Sequence, residues 1–228
     1  MALTRYTASA DTTITNAFDS TISTRATGSN MGLADSLEVF SIFGQDSGSA
    51  GRSVEKSRIL VKFPVTTMSA DRTAGTIPAS GSVSWYLKLY NVEHSLTLPS
   101  EYTIAVQPIS KTWDEGRGMD MDSYTDRDIC NWVAASSGSS GITNWTSEGG
   151  DYHTTNVSGR GVTLYSQTFT NGDEDLEVDI SELVEQWLDD TKSNYGVGIM
   201  MSGSYEDGTD KRSYYTKRFS ARGTQYFF

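Results

Sequence analysis

Apolar and polar residues alternate through most of this chain, and one segment departs from that rule. Between Asp179 and Asp190, Ile180, Leu183, Val184, Trp187 and Leu188 recur at i, i+3, i+4, i+7 and i+8, a single stripe on a helix. Asp179 stands where an N-cap belongs, and Glu182 three residues on completes a capping-box-like pair. A helix this short needs a sheet to lie on.

The rest of the pattern reads as strands. Thr7 to Ile14 alternates weakly, turn chemistry follows at Gly28-Ser29-Asn30-Met31-Gly32, and Leu37 to Phe40 forms a second strand. Gly44 to Gly51, rich in Ser and Gly, is expected to be a mobile hairpin tip. Arg58 to Phe63 is a strand stopped by Pro64. Val83 to Val92 alternates Val83, Trp85, Leu87 and Leu89 against Ser84, Tyr86, Lys88 and Tyr90, a long strand with one face in the core. Tyr102 to Val106, Val162 to Phe169 and Gly196 to Met201 continue the series, and Ser213 to Lys217 and Thr224 to Phe228 close it with aromatic-rich β segments. Roughly nine or ten strands and one helix, about 180–190, predict an all-β, jelly-roll-like two-sheet β-sandwich. The reading is a single domain over 1–228 with a long irregular insertion at about 111–161, rich in Gly, Ser, Asp and Trp.

Composition narrows the function. The 228 residues carry 18 Lys+Arg against 29 Asp+Glu, a net charge of −11. Proteins that release counterions from a phosphate backbone are usually basic, so no nucleic-acid partner is expected. One basic set, Lys211, Arg212, Lys217, Arg218 and Arg222, reads as scattered strand charges. Cys130 is the only cysteine, so there is no intrachain disulfide framework. The start, Met1 to Thr7, lacks the apolar core of a secretory signal, and no run approaches the roughly 20 apolar residues of a membrane span. These features read as a soluble chain made in a cytoplasm, with no membrane partner; on that reading the sequons at Asn144 and Asn156 are accidental.

No catalytic motif stands out. His94 and His153 lie in no recognisable setting, and Cys130 beside Asn131-Trp132 reads as a small packed hydrophobe. The carboxylates Asp114, Glu115, Asp120, Asp122, Asp126 and Asp128 show no spacing that separates an acid from a base; a solvated acidic loop is the plain alternative. Asp120, Asp122, Asp126 and Asp128 supply the oxygens that calcium prefers, without the glycine and terminal glutamate of an EF-hand. Calcium is thus the one cofactor candidate. Asp173-Glu174-Asp175 is expected to solvate a hairpin turn or to favour the helix N-terminus. Trp113, Trp132 and Trp145 fall in the irregular segment, where they either anchor a long loop or offer exposed rings to a sugar or a protein. Tyr214, Tyr215 and Phe227 belong to an aromatic end that is either a last core strand or a partner-facing surface.

The order of short motifs resembles the DNRLRE-type domains. Asp11-Thr-Thr-Ile14, Asn30-x-Gly32, Leu37-x-Val39, Arg58-x-x-x-Lys62-Phe63, Leu87-Lys-Leu-Tyr90, Trp113-x-Glu115-Gly116, Val178-Asp-Ile180 and Tyr195-Gly196 carry the likeness over most of the chain. That resemblance implies a jelly-roll-like sandwich related to carbohydrate-binding modules. A narrower set also looks like segments of tailed-bacteriophage virion proteins: Trp113 to Gly118, Asn131-Trp132, Trp145 to Tyr152, and Ser213 to Phe219 followed by Arg222-Gly223. It implies a non-enzymatic virion protein of head, neck or tail, assembled in the host cytoplasm. Its Trp-bearing loop and aromatic end would then meet other virion proteins and further copies of the chain. A glycan-binding module or adhesin is the alternative, and a hydrolase with paired carboxylates a third reading.

Overall fold

The computed structural model describes residues 3–19, 24–43, 54–93, 98–121, 129–139, 141–154, 164–207 and 214–224. The expected tip at Gly44 to Gly51, the last residues 225–228 and His94 lie outside the described residues. In chain order the elements are β1 (Ala10–Thr15), β2 (Ser36–Phe43), β3 (Val54–Lys62), α1 (Val65–Thr73), β4 (Tyr86–Leu89), β5 (Tyr102–Pro108), β6 (Ala134–Gly138), β7 (Gly141–Asn144), β8 (Tyr165–Phe169), β9 (Leu176–Asp179), α2 (Ser181–Leu188), β10 (Val197–Met201), α3 (Gly203–Glu206) and β11 (Tyr214–Ser220).

The fold is the expected all-β two-sheet sandwich. One sheet sets β1, β3, β10, β5 and β8 side by side, every pair antiparallel. The other sets β2, β11, β4 and β9 together. Its middle seam is made by Asn91 pairing with Phe219, with the Ser220 N–H donating to the Tyr90 carbonyl at 2.9 Å. β2 also pairs with the first residues of β3, from Phe40 opposite Ser57 to Phe43 opposite Val54, so the sheets run into each other at that edge.

Period-2 alternation builds the core between them. Ile59, Val61, Val197, Ile199, Met201, Tyr102, Ile104, Val106 and Phe169 point in from the first sheet; Leu37, Val39, Leu87, Leu89, Leu176, Val178 and Phe219 meet them from the second. The stripe predicted for α2 closes the same core with Ile180, Leu183, Val184 and Trp187, while Leu188 packs at its margin. The start of α2 differs from expectation. Asp179 ends β9, Ile180 holds the cap position, and the Asp179 carboxylate accepts the Ser181 N–H at 2.9 Å.

Two further helices were not legible in the pattern. α1 buries only Met68, so its sequence carries no apolar stripe. It is held instead by Arg72, which donates to Glu185 of α2 at 2.5 and 2.7 Å; the Trp85 indole N–H joins the same carboxylate at 2.9 Å. α3 is a single turn. The long strand expected from Val83 is regular only over β4, because Asn91 and Val92 turn their pairing to β11. Among the described residues no helix is long and apolar enough to cross a membrane.

Candidate functional site

The segment after Lys111 is not patternless. Its described residues form the hairpin β6–β7 and lie as a third layer on the outer face of the first sheet. β3 explains how the sheet accepts it: Ile59 and Val61 face the sandwich, and Leu60 between them faces the added layer. Leu60, Ile14 and Ile109 pack there against Trp113, Trp132, Trp145, Cys130 and Ala135. β10 permits the close approach through Gly198, where a Cβ would run into the Tyr152 ring.

The three tryptophans therefore face inward, at 4, 4 and 6 % exposure for Trp113, Trp132 and Trp145. The Trp113 indole donates to the Tyr195 carbonyl and that of Trp145 to the Asn131 carbonyl, both at 2.8 Å. Their faces are occupied by protein, so the expectation of rings open to a sugar gives way to the anchoring alternative. Cys130 is fully buried among them, and burial pushes its thiol up, away from the thiolate a nucleophile needs.

Two side chains absent from the candidate residues lock this layer down. Arg58 of β3 donates to both Glu206 oxygens at 2.8 Å and to the Gly149 carbonyl at 2.9 Å, with its guanidinium over the Trp132 and Tyr152 rings. Asn30 is a hub: its two Nδ2 hydrogens are shared among Thr12 Oγ1, the Glu115 carbonyl and the Cys130 carbonyl, and its Oδ1 accepts the Gly32 and Gly118 N–H groups. Beside it Arg222 pairs with Glu115 and with Asp11, whose carboxyl burial pushes up and the Arg222 contacts pull back down. The motif residues Asp11, Asn30, Gly32 and Glu115 thus meet in one packing knot.

What the layer turns outward is different. β7 is exposed along its whole length, and Ile142 at the hairpin end is 71 % exposed. Leu33 and Met119 are 56 and 70 % exposed, and they are neighbours because the Leu33 N–H donates to the Gly118 carbonyl at 2.9 Å. No sequence signal marked these residues, since an isolated apolar position in a loop has no period to break.

The other candidates scatter. Tyr214 is exposed on the outside of β11, whereas Tyr215 turns inward against Tyr102 and Tyr205. Phe227 lies outside the described residues, as do Asp122, Asp126 and Asp128, and Lys211 and Arg212 of the basic set. Asp120 is exposed and its backbone bridges to Asn30. Among the described residues no three His, Cys, Asp or Glu side chains gather as a metal site. Of the acidic run before α2, Glu174 closes a turn by accepting the Thr170, Asn171 and Gly172 N–H groups, which hold its carboxyl below the usual range against the opposing effect of burial. No protein-family model matches the chain, and no curated protein matches it.

Proposed function

We propose that this chain is a non-enzymatic structural protein of a bacteriophage virion, a β-sandwich in the head, neck or tail that contacts neighbouring subunits through its added layer. The observation that supports the reading most is the polarity of that layer. Three buried tryptophans and Arg58 hold it rigidly to the sheet, while Met119 and Ile142 stand out into solvent, with Leu33 of the loop before β2 beside Met119. Exposed apolar side chains on a fixed platform suit protein contacts, because little ordering entropy is lost on association. The partners are other virion proteins and further copies of the chain, with neither nucleic acid nor membrane among them, and the place of residence is the assembled particle. Proteomics of purified particles from a host that encodes the chain tests this; its absence from them sinks the reading.

The alternative of a glycan-binding domain now rests on other residues. Tyr86 of β4, at 58 % exposure, and Tyr90 just past its end flank Lys88, with the Lys88 ammonium over the Tyr90 ring. A glycan array with the wild type and Tyr86→Ala separates the two readings: sugar binding lost in the variant supports the module.

A further inference from the structure

Lys217 is the one lysine of β11, and its position is unusual. Strand alternation turns it inward with Phe219, and it is only 1 % exposed. Its ammonium stem lies against aromatic rings, with Nζ 5.1 Å from the Phe169 centroid and 5.4 Å from that of Phe219. Nζ donates to Asn91 Oδ1 at 2.6 Å and to the Gly172 carbonyl at 2.8 Å. Asn91 pairs with Phe219, so Asn91 and Lys217 are diagonal neighbours on adjacent antiparallel strands, both turned into the protein.

We propose that Lys217 and Asn91 join in an intramolecular isopeptide bond. The Nζ lone pair attacks Asn91 Cγ, the Cγ–Nδ2 bond breaks, and Nδ2 leaves as ammonia with a proton taken from Nζ. The proton passes within the pair, from Nζ to the departing Nδ2; Asp175 fixes the Asn91 backbone, its Oδ1 accepting the Asn91 N–H at 2.8 Å while its Oδ2 faces Lys88. One lysine ammonium and one carboxamide give one amide and one ammonium ion, so no oxidant or further reactant is required.

Three conditions favour the step. The reacting groups are held in contact by two strands, which replaces a bimolecular encounter with a positioned one. The rings exclude water that would otherwise compete for the amine. Burial pushes the Lys217 amine down to about 8, against the opposing pull of Glu174, Asp173 and Asp175. More of it is therefore neutral and nucleophilic near neutral pH than of an ordinary lysine. The product would staple the last described strand to a segment 126 residues earlier, which suits a chain under load in an assembly.

The test is the intact mass of the purified full-length chain after incubation at neutral pH. The expected mass is that of the sequence less one ammonia, with a branched peptide joining Asn91 to Lys217 in the digest. Lys217→Arg should restore the sequence mass and abolish the branched peptide. A natively folded wild type at its full sequence mass overturns the proposal. So does a chain lighter by one ammonia that yields a succinimide and no branched peptide.

Discussion

Arg58 and Glu206 meet in a two-bond ion pair across 148 residues, each bond 2.8 Å long. The pair ties β3 to α3, and the same guanidinium reaches the Gly149 carbonyl of the added layer. Both side chains are mostly covered, at 15 and 13 % exposure. Arg58→Ala leaves the covered Glu206 carboxylate without its donor, while the Gly149 carbonyl keeps the Tyr152 hydroxyl at 2.8 Å. The expected loss is about 3 kcal/mol, read from urea unfolding, with Glu206→Gln costing less because its amide still accepts from Arg58. Equal losses would show that the charge on Glu206, and not the shape of the pair, dominates.

Asn30→Ala should be as damaging without any change in charge. It removes the acceptor of two N–H groups and the amide hydrogens shared by three oxygens, and all but the Glu115 contact are buried. A loss of about 3 kcal/mol or more is expected. Asn30→Asp should be no better, since the Glu115 and Cys130 carbonyls would then face a carboxylate.

Trp132→Ala and Trp145→Ala are each expected to cost about 3–5 kcal/mol, the range for emptying a large aromatic from a core. A sugar-stacking role predicts the reverse, with stability unchanged and binding lost. Thermal unfolding of the two variants decides between them.

Stability should fall on mild acidification. Burial lowers the basicity of His153, and the nearby Lys192 charge lowers it further. The unfolded chain therefore binds a proton first as pH drops through about 6.5, the usual histidine value, and unfolding is favoured. The urea midpoint should decline between pH 7 and pH 5.5, and His153→Gln should flatten that slope. Lys192 is lowered by burial too, and its Nζ has no hydrogen-bond partner among the described residues. Lys192→Met should accordingly raise the midpoint at pH 7.

Leu33→Glu combined with Met119→Glu should leave the isolated fold within about 0.5 kcal/mol of wild type, as exposed substitutions do. Incorporation into particles, measured by quantitative mass spectrometry, should drop sharply. Normal incorporation would place the contact surface elsewhere on the chain.

Period and local stereochemistry alone determined the class of this fold. Strands such as β2, β3, β5 and β10, and the stripe of α2, are set by which residues must be buried every second or every third-to-fourth position, and that information is local. The presence of α1 and of the hairpin β6–β7 is not readable, because neither carries a strong period; both are held by partners remote in the chain, such as Glu185 for α1 and the sheet beneath the hairpin. The same limit applies to the candidate site. Composition could show that Trp113, Trp132 and Trp145 cluster in an irregular segment, and left open whether they face in or out. Only the tertiary packing turned them inward onto Leu60 and Ile14, set Leu33 beside Met119 on the surface, and brought Lys217 against Asn91. Those relationships join strands and loops that are distant in the chain, and a linear pattern records which faces are apolar but not which face meets which.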